Sequence, residues 1–245
     1  TITIQRPPNN FFDYLLIQQI ADVLEDLDEE SECRVNILAS EGKNFCAGAN
    51  FSQDTEMMNK SNPYSKLYRE AVRLFRTRKP IIAAVQGAAV GGGLGLALAA
   101  DFRIASPESK FSANFAKLGF HQGFGSSVTL PRVVGTQNAA MMLYTAKRVK
   151  GEEALNLGLV DSLVPTSDIL KKANELAETH DSLKLMTELF IKYKSNVSYK
   201  PYNYFMYLKY LFVEIRQSLF RRPRTANFKR WSISDQKLLK EYRLR

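Results

Sequence analysis

Apolar and polar positions follow two periods along this 245-residue chain. Thr1–Gln5 alternates β-branched and polar residues, which predicts a strand, and Pro7-Pro8-Asn9-Asn10 closes it. From Asp13 to about Glu30, Leu16, Ile20, Val23, Leu24 and Leu27 recur at helical spacing, so an amphipathic helix is expected. Arg34–Ser40 reads as a second strand, followed by a glycine-bearing loop, Glu41–Asn50. Residues 52–62 are polar and Met-bearing, without a period. Pro63 opens a helix predicted to run to Arg78, and Ile81–Val85 is a short, wholly apolar strand of the buried parallel kind. Gly87 and Gly91–Gly93 interrupt the pattern before a helix reaching Ala100, and Phe102–Ala105 is the next strand. Apolar stretches follow around Phe111, Val128–Val134, Ala139–Ala146 and Glu152–Leu157, then a strand over Leu159–Val164. Strands alternating with helices predict an α/β fold with mostly parallel strands. From Asp168 the strands stop: 168–180, 183–195 and 203–220 read as helices. The expected plan is a core over residues 1–180 and a helical C-terminal region over 181–245.

Charge sharpens that division. Residues 1–180 carry 19 Lys+Arg against 20 Asp+Glu, a balance of −1, whereas 181–245 carry 15 against 5, a balance of +10. Electrostatic arguments about partners therefore belong to the C-terminal region. No apolar run approaches the roughly 18 residues of a membrane span, so no membrane association is predicted. The opening Thr1-Ile-Thr-Ile has no leader-like pattern, and two cysteines, Cys33 and Cys46, make no disulfide framework. Both point to a reducing, cytoplasmic setting.

The chemistry is carried by two glycine-bearing junctions. Gly42-Lys43-Asn44-Phe45-Cys46-Ala47-Gly48-Ala49-Asn50 follows a strand, and Gln86-Gly87-Ala88-Ala89-Val90-Gly91-Gly92-Gly93-Leu94-Gly95 joins a buried strand to a helix. Small residues admit a ligand close to the backbone, and a helix N-terminus presents unpaired N–H groups. Two such loops can aim two amides at an oxygen that gains negative charge. Each loop alone is equally a turn needing positive φ. A nicotinamide fingerprint fits poorly, since the run is GGGLG and Asp101 comes too soon for the ribose.

Taken together these segments resemble the crotonase (enoyl-CoA hydratase/isomerase) superfamily. Phe45-Cys46-Ala47-Gly48-Ala49 is similar to its F-C-A-G-A/D motif, and Lys79-Pro80-Ile81-Ile82-Ala83-Ala84-Val85-Gln86-Gly87 to its K-P-[VI]-I-A-A-V-x-G strand. Ala100-Asp101-Phe102-Arg103-Ile104-Ala105, Leu130-Pro131-Arg132-Val133-Val134-Gly135, Glu152-Glu153-Ala154 and Leu157-Gly158-Leu159-Val160-Asp161 resemble its later landmarks, in order, over about residues 1–178. The resemblance implies a crotonase-type spiral of ββα turns and an acyl-CoA substrate, with coenzyme A entering as part of that substrate and no permanently bound cofactor or metal. It implies an oxyanion hole made by the N–H groups of Ala49 and Gly92. The loss of one such donor elsewhere costs about 3–4 kcal/mol of barrier. It also implies that the adenine end lies against Phe51 and, loosely, Pro8–Asn9.

The pattern breaks at the acids. Hydratases of this family flank the substrate with two glutamates, because adding water needs a proton acceptor and a donor. The matching positions are Gly95 and Phe115, and neither moves a proton. Other branches place a carboxylate at positions matching Gln122 or Gly123. Ordinary two-glutamate hydration is therefore not expected.

Three readings stay open. In the first, an isomerase or hydratase-like enzyme carries its proton elsewhere. His121 leads, since imidazole titrates near neutrality; its bland alternative is a surface histidine bonded to backbone. Asp54, Glu56, Tyr64 and Tyr68 are further candidates, each with a solvated reading beside it. In the second, a malonyl- or glutaconyl-type thioester loses carbon dioxide and makes the enolate without a base. Ser112–Phe120 with Gly123-Phe124-Gly125-Ser126 resembles polyketide β-branching decarboxylases, although their lysine and histidine have no obvious counterparts here. The third is a non-catalytic acyl-CoA-binding relative.

The resemblance further implies a homotrimer or hexamer supported by C-terminal helices, but residues 181–245 match the family poorly. Arg221-Arg222-Pro223-Arg224 with Lys229 and Arg230 is a basic cluster among aromatics. No nucleic-acid motif accompanies it, so no nucleic-acid partner is predicted.

Overall fold

The structure, a computed structural model, describes residues 1–49 and 64–178. Phe51, Asp54, Glu56, the side chain of Tyr64 and the whole C-terminal region expected to be helical lie outside the described residues. In chain order the elements are β1 (Ile2–Ile4), α1 (Tyr14–Glu29), β2 (Asn36–Ser40), α2 (Tyr64–Leu74), β3 (Ile81–Val85), β4 (Ala88–Val90), α3 (Gly92–Ala99), β5 (Phe102–Ala105) and β6 (Lys110–Ser112). A 3-10 turn over Asn114–Leu118 follows, then α4 (Ser126–Val134), α5 (Thr136–Thr145), β7 (Val149–Lys150), α6 (Gly151–Leu157), β8 (Ser162–Leu163) and α7 (Ile169–Glu178).

One sheet is wholly parallel, in the order β1-β2-β3-β5-β8, and a smaller one runs β4-β6-β7 with only the β6–β7 pair antiparallel. The chain alternates between them: β3 to β4 to α3, then β5 to β6 to α4. That alternation is the ββα spiral expected from the resemblance. Strand β3 sits between two partners, and all five of its residues are buried, as its unbroken apolar run predicts. Strand β4 was not legible as a strand. Gly87 and Gly91, at φ +58° and +55°, turn the chain out of one sheet and into the other at its two ends.

Helix α1 starts where Asp13 accepts the N–H of Leu16 at 2.8 Å. Its buried stripe is Leu16, Ile17, Ile20, Ala21 and Leu24. Val23, expected on that stripe, is 40% exposed and Leu27 only half-buried, because the packed face turns toward Ile17 and Ala21 instead. Helix α2 stops at Leu74, short of the expected Arg78. The amides of Phe75 and Arg76 bond three residues back, and Asp28 then accepts the N–H groups of Arg78 and Lys79 at 2.8 and 3.1 Å. The last strand is narrower than the Leu159–Val164 run. The amides of Leu159 and Val160 turn back to the Ala154 carbonyl, so the paired strand is Ser162–Leu163.

Two buried cations hold helix ends, where unpaired carbonyls concentrate partial negative charge. Lys79, 5% exposed, donates to the carbonyls of Leu27, in the last turn of α1, and Glu30, just past it. Arg103, 1% exposed, donates to the carbonyls of Ala100 at 2.6 Å and Leu159 at 2.7 Å and lies 3.7 Å from Asp161. No helix among the described residues is long and apolar enough to cross a membrane.

Helices α1 and α2 are tied by Arg73, which pairs with Asp22 (2.6 Å), Glu25 (2.5 Å) and Glu70 (2.5 Å). The guanidinium holds the Glu25 carboxyl below its ordinary range. A depressed carboxyl pKa stabilises the fold fully above the ordinary value, and that contribution fades as pH falls through the lowered one. Arg73→Ala is expected to cost about 1 kcal/mol at neutral pH, since these pairs are largely solvent-exposed. In denaturant titrations the difference between variant and wild type should shrink below about pH 4.

Candidate active site

The first glycine-bearing loop is bonded to the second mainly through backbone. Phe45 donates its N–H to Gln86 at 2.8 Å, Cys46 to Ala88 at 3.0 Å, and Val90 returns a bond to Cys46 at 3.1 Å. Glycine is required where this seam is tightest. A Cβ on Gly93 would stand 2.1 Å from the Cys46 carbonyl oxygen, and one on Gly87 would stand 2.0 Å from that of Lys43. Asn44 and Asn10 brace the loop from behind. Asn44 accepts the N–H of Ala88 at 3.0 Å; buried Asn10 donates to the carbonyls of Glu41 and Asn44 at 2.7 and 2.6 Å. Asn9 accepts the Asn44 amide at 3.0 Å, and its carbonyl accepts the N–H of Ala47 at 2.9 Å. It supports the loop and lies outside the cavity lining.

Beyond the seam, Gly48 at φ +101° swings the chain away, with its Cα side close to the Val90 carbonyl. A cavity of about 160 Å³ opens there, and both Ala49 and Gly92 line it. Among the described residues, neither the Ala49 N–H nor the Gly92 N–H has an acceptor. Gly92 is the first residue of α3, so its amide is one that the helix itself leaves unpaired. Neighbouring amides, by contrast, are engaged: Gly91 bonds to Ser112 at 2.8 Å, and Phe12 to Gly48 at 3.0 Å. Two donors on one cavity wall can stabilise an oxygen that becomes negative.

The remaining walls are mostly apolar. Phe12 lies over Gly92, where a Cβ would come within 2.2 Å of the ring, and meets Phe124 edge-on at 5.9 Å. Phe124 holds a left-handed backbone at φ +56° (uncommon for a bulky side chain) and packs on Gly95, whose Cβ would fall 2.5 Å from its own. Phe115 also lines the cavity. The positions that the resemblance matches to the hydratase glutamates are thus a glycine pressed by an aromatic ring system and an aromatic residue itself. Nor is there space at Gly123, where a Cβ would stand 2.3 Å from the Tyr68 hydroxyl.

Polar side chains on the lining are Tyr68, Asn114 and His121. His121 is exposed, and its Nδ1 lies 3.1 Å from the Gln122 carbonyl. A carbonyl only accepts, so this contact is a hydrogen bond in the tautomer that carries its hydrogen on Nδ1, and Nε2 is then the ring's acceptor. Cys46 is not a nucleophile candidate: burial pushes its thiol up to about 12. The sequence brings out Ala49, Gly92 and His121, and the structure gathers all three at one cavity. It gives no hint of Phe12, Phe124 or the Tyr68–Gly123 contact, since nothing local in the chain marks residues that meet across such long separations.

An α/β spiral whose glycine-bearing loops meet at an apolar cavity defines a crotonase-fold protein. The family model described as "Enoyl-CoA hydratase/isomerase" matches residues 1–200, and the chain belongs to that family. It is 36% identical over 183 residues to the "Short-chain-enoyl-CoA hydratase" of Clostridium acetobutylicum, covering 72% of this chain and 69% of that protein. A Bacillus subtilis (strain 168) protein named "Probable enoyl-CoA hydratase" is 35% identical over 182 residues, covering 72% and 70%. Among solved structures, the enoyl-CoA hydratase of Bacillus anthracis superposes with a TM-score of 0.71 at 26% identity, covering 91% of this chain and 93% of that one.

Because Phe124 already fills the space beside Gly95, even one methyl group there overpacks the site. Gly95→Ala is expected to destabilise the protein by about 1–3 kcal/mol. Thermal unfolding of Gly95→Ala beside wild type measures this.

Proposed function

We propose that this enzyme binds an acyl-CoA thioester and stabilises its enolate with the N–H groups of Ala49 and Gly92. The observation that carries this reading is the pair of acceptor-free amides, from two bonded loops, on one cavity. A thioester carbonyl seated between them gains charge as its α-carbon becomes carbanionic, and fixed donors then bind the enolate better than the ground state. Coenzyme A arrives as part of the substrate, with its adenine end on the side of Asn9 and Phe51, and no cofactor stays bound. A homotrimer or hexamer is the assembly that the family resemblance favours.

His121 is the acceptor we assign to proton transfer, because its Nε2 is the ring's free lone pair. Two-glutamate hydration does not fit a site that has glycine and phenylalanine at the matching positions and no carboxylate on the described lining. That same feature favours a second reading, decarboxylation of a malonyl- or glutaconyl-type thioester. There the departing carbon dioxide leaves its electron pair on the α-carbon, and no base is required.

The test is a panel of enoyl-, β-hydroxyacyl- and malonyl-type CoA thioesters incubated with the full chain in deuterated water and followed by mass spectrometry. Deuterium entering the α-position is the expected outcome. Loss of carbon dioxide from the malonyl-type member alone, with one deuterium gained at its α-carbon, would select decarboxylation. Tight binding of the panel with no label and no conversion would leave an acyl-CoA-binding protein, and absence of binding would remove the thioester reading altogether.

A further inference from the structure

Resting on the thioester reading above, we infer that the Tyr68 hydroxyl is the proton donor to the enolate, carried into the cavity from α2. Tyr68 lines the same cavity as Ala49 and Gly92. Its hydroxyl stands 2.3 Å from where a Cβ of Gly123 would be, so it takes the place of the first side-chain atom that another residue at 123 would project. A glycine at 123 and a tyrosine at 68 are thus one arrangement. The loop withdraws its side chain, and the helix supplies an O–H in the vacated volume.

The alternatives on the lining are few. No carboxylate is present among the described lining residues, the Asn114 amide does not exchange protons usefully, and His121 is the residue assigned above to accept the α-proton. A phenol keeps its proton at neutral pH and is therefore an acid rather than a base. Tyr68 is also well placed to be steady. The preceding residue, Leu67, is 8% exposed in the core, and Arg73 on the same helix ties it to α1. Tyr68 itself is 38% exposed.

The step balances simply. The electron pair of the enolate C=C forms a C–H bond at the α-carbon, the Tyr68 O–H bond breaks, and the thioester carbonyl is restored. The phenolate that remains takes a proton from solvent. Both readings above need this step, since exchange and decarboxylation each end with a proton delivered to the α-carbon.

Tyr68→Phe removes one oxygen and keeps the ring. In the full chain it is expected to bind butyryl- and malonyl-CoA within about threefold of wild type, while turnover or α-label incorporation falls by about 100-fold or more. The alkaline limb of the wild-type pH–rate profile, near the phenol range of about 10, should vanish with it. Gly123→Ala drives a methyl group into the hydroxyl and should lose rate comparably in wild type, yet add little in the Tyr68→Phe background, a non-additivity that a double-mutant cycle measures. Wild-type rates in Tyr68→Phe would overturn the assignment. So would binding and turnover falling together, or thioester binding by wild type with no chemistry at all. Wild type that binds neither thioester would mark failure of the underlying reading instead.

Discussion

Three backbone hydrogen bonds, between Phe45–Cys46 and the chain from Gln86 to Val90, are the constraint on which the site depends. Phe45 and Cys46 are buried at 0% exposure, and Gln86, Ala88 and Val90 opposite them are half-buried. Leaving one of these amides unpaired in such surroundings costs on the order of 1–3 kcal/mol, so the two loops have little freedom to slide past each other. The seam ends a few residues before Ala49 on one side and Gly92 on the other. The two residues with acceptor-free amides that line the cavity therefore stand on loops that the seam joins.

Much of this was legible in the chain, for physical reasons that differ by element. Strand β3 announced itself because burial on both faces demands an unbroken apolar run. Helix α1 announced itself through its repeat, although Val23 shows that apolar character alone does not say which side of a helix a core will take. The glycines at 87 and 91–93 marked a place where backbone meets backbone, and the structure supplies the partners, the carbonyls of Lys43 and Cys46. Strand β4 stayed hidden because three residues between two left-handed glycines carry no period. The aromatic contacts were illegible for a different reason. Phe12 meets Gly92, and Phe124 meets Gly95, through packing that no local pattern encodes. Tyr68 stood among several ionisable candidates until its hydroxyl was located against Gly123.

The cavity inverts the usual relation between ring and acid. Beside Gly95, where the resemblance would set a carboxylate, Phe124 packs instead and accepts an unfavourable backbone conformation to do so. Low polarity strengthens the pull of the few dipoles that remain. Ala49, Gly92, Tyr68 and His121 line a cavity with no carboxylate among its described lining residues.

Arg103 shows how the spiral controls its own mechanics. The side chain bonds the carbonyl end of α3 to the stretch after α6, adding side-chain bonds to the backbone ladder that already pairs β5 with β8. Helix α3 is eight residues long and wholly buried, so it behaves as a stiff rod anchored at its rear by an ion. Motion at its tip, where Gly92 sits, then works against the bonds that Arg103 makes at the other end. An arginine on the far side of a helix becomes, in this way, the damper for an amide it never touches.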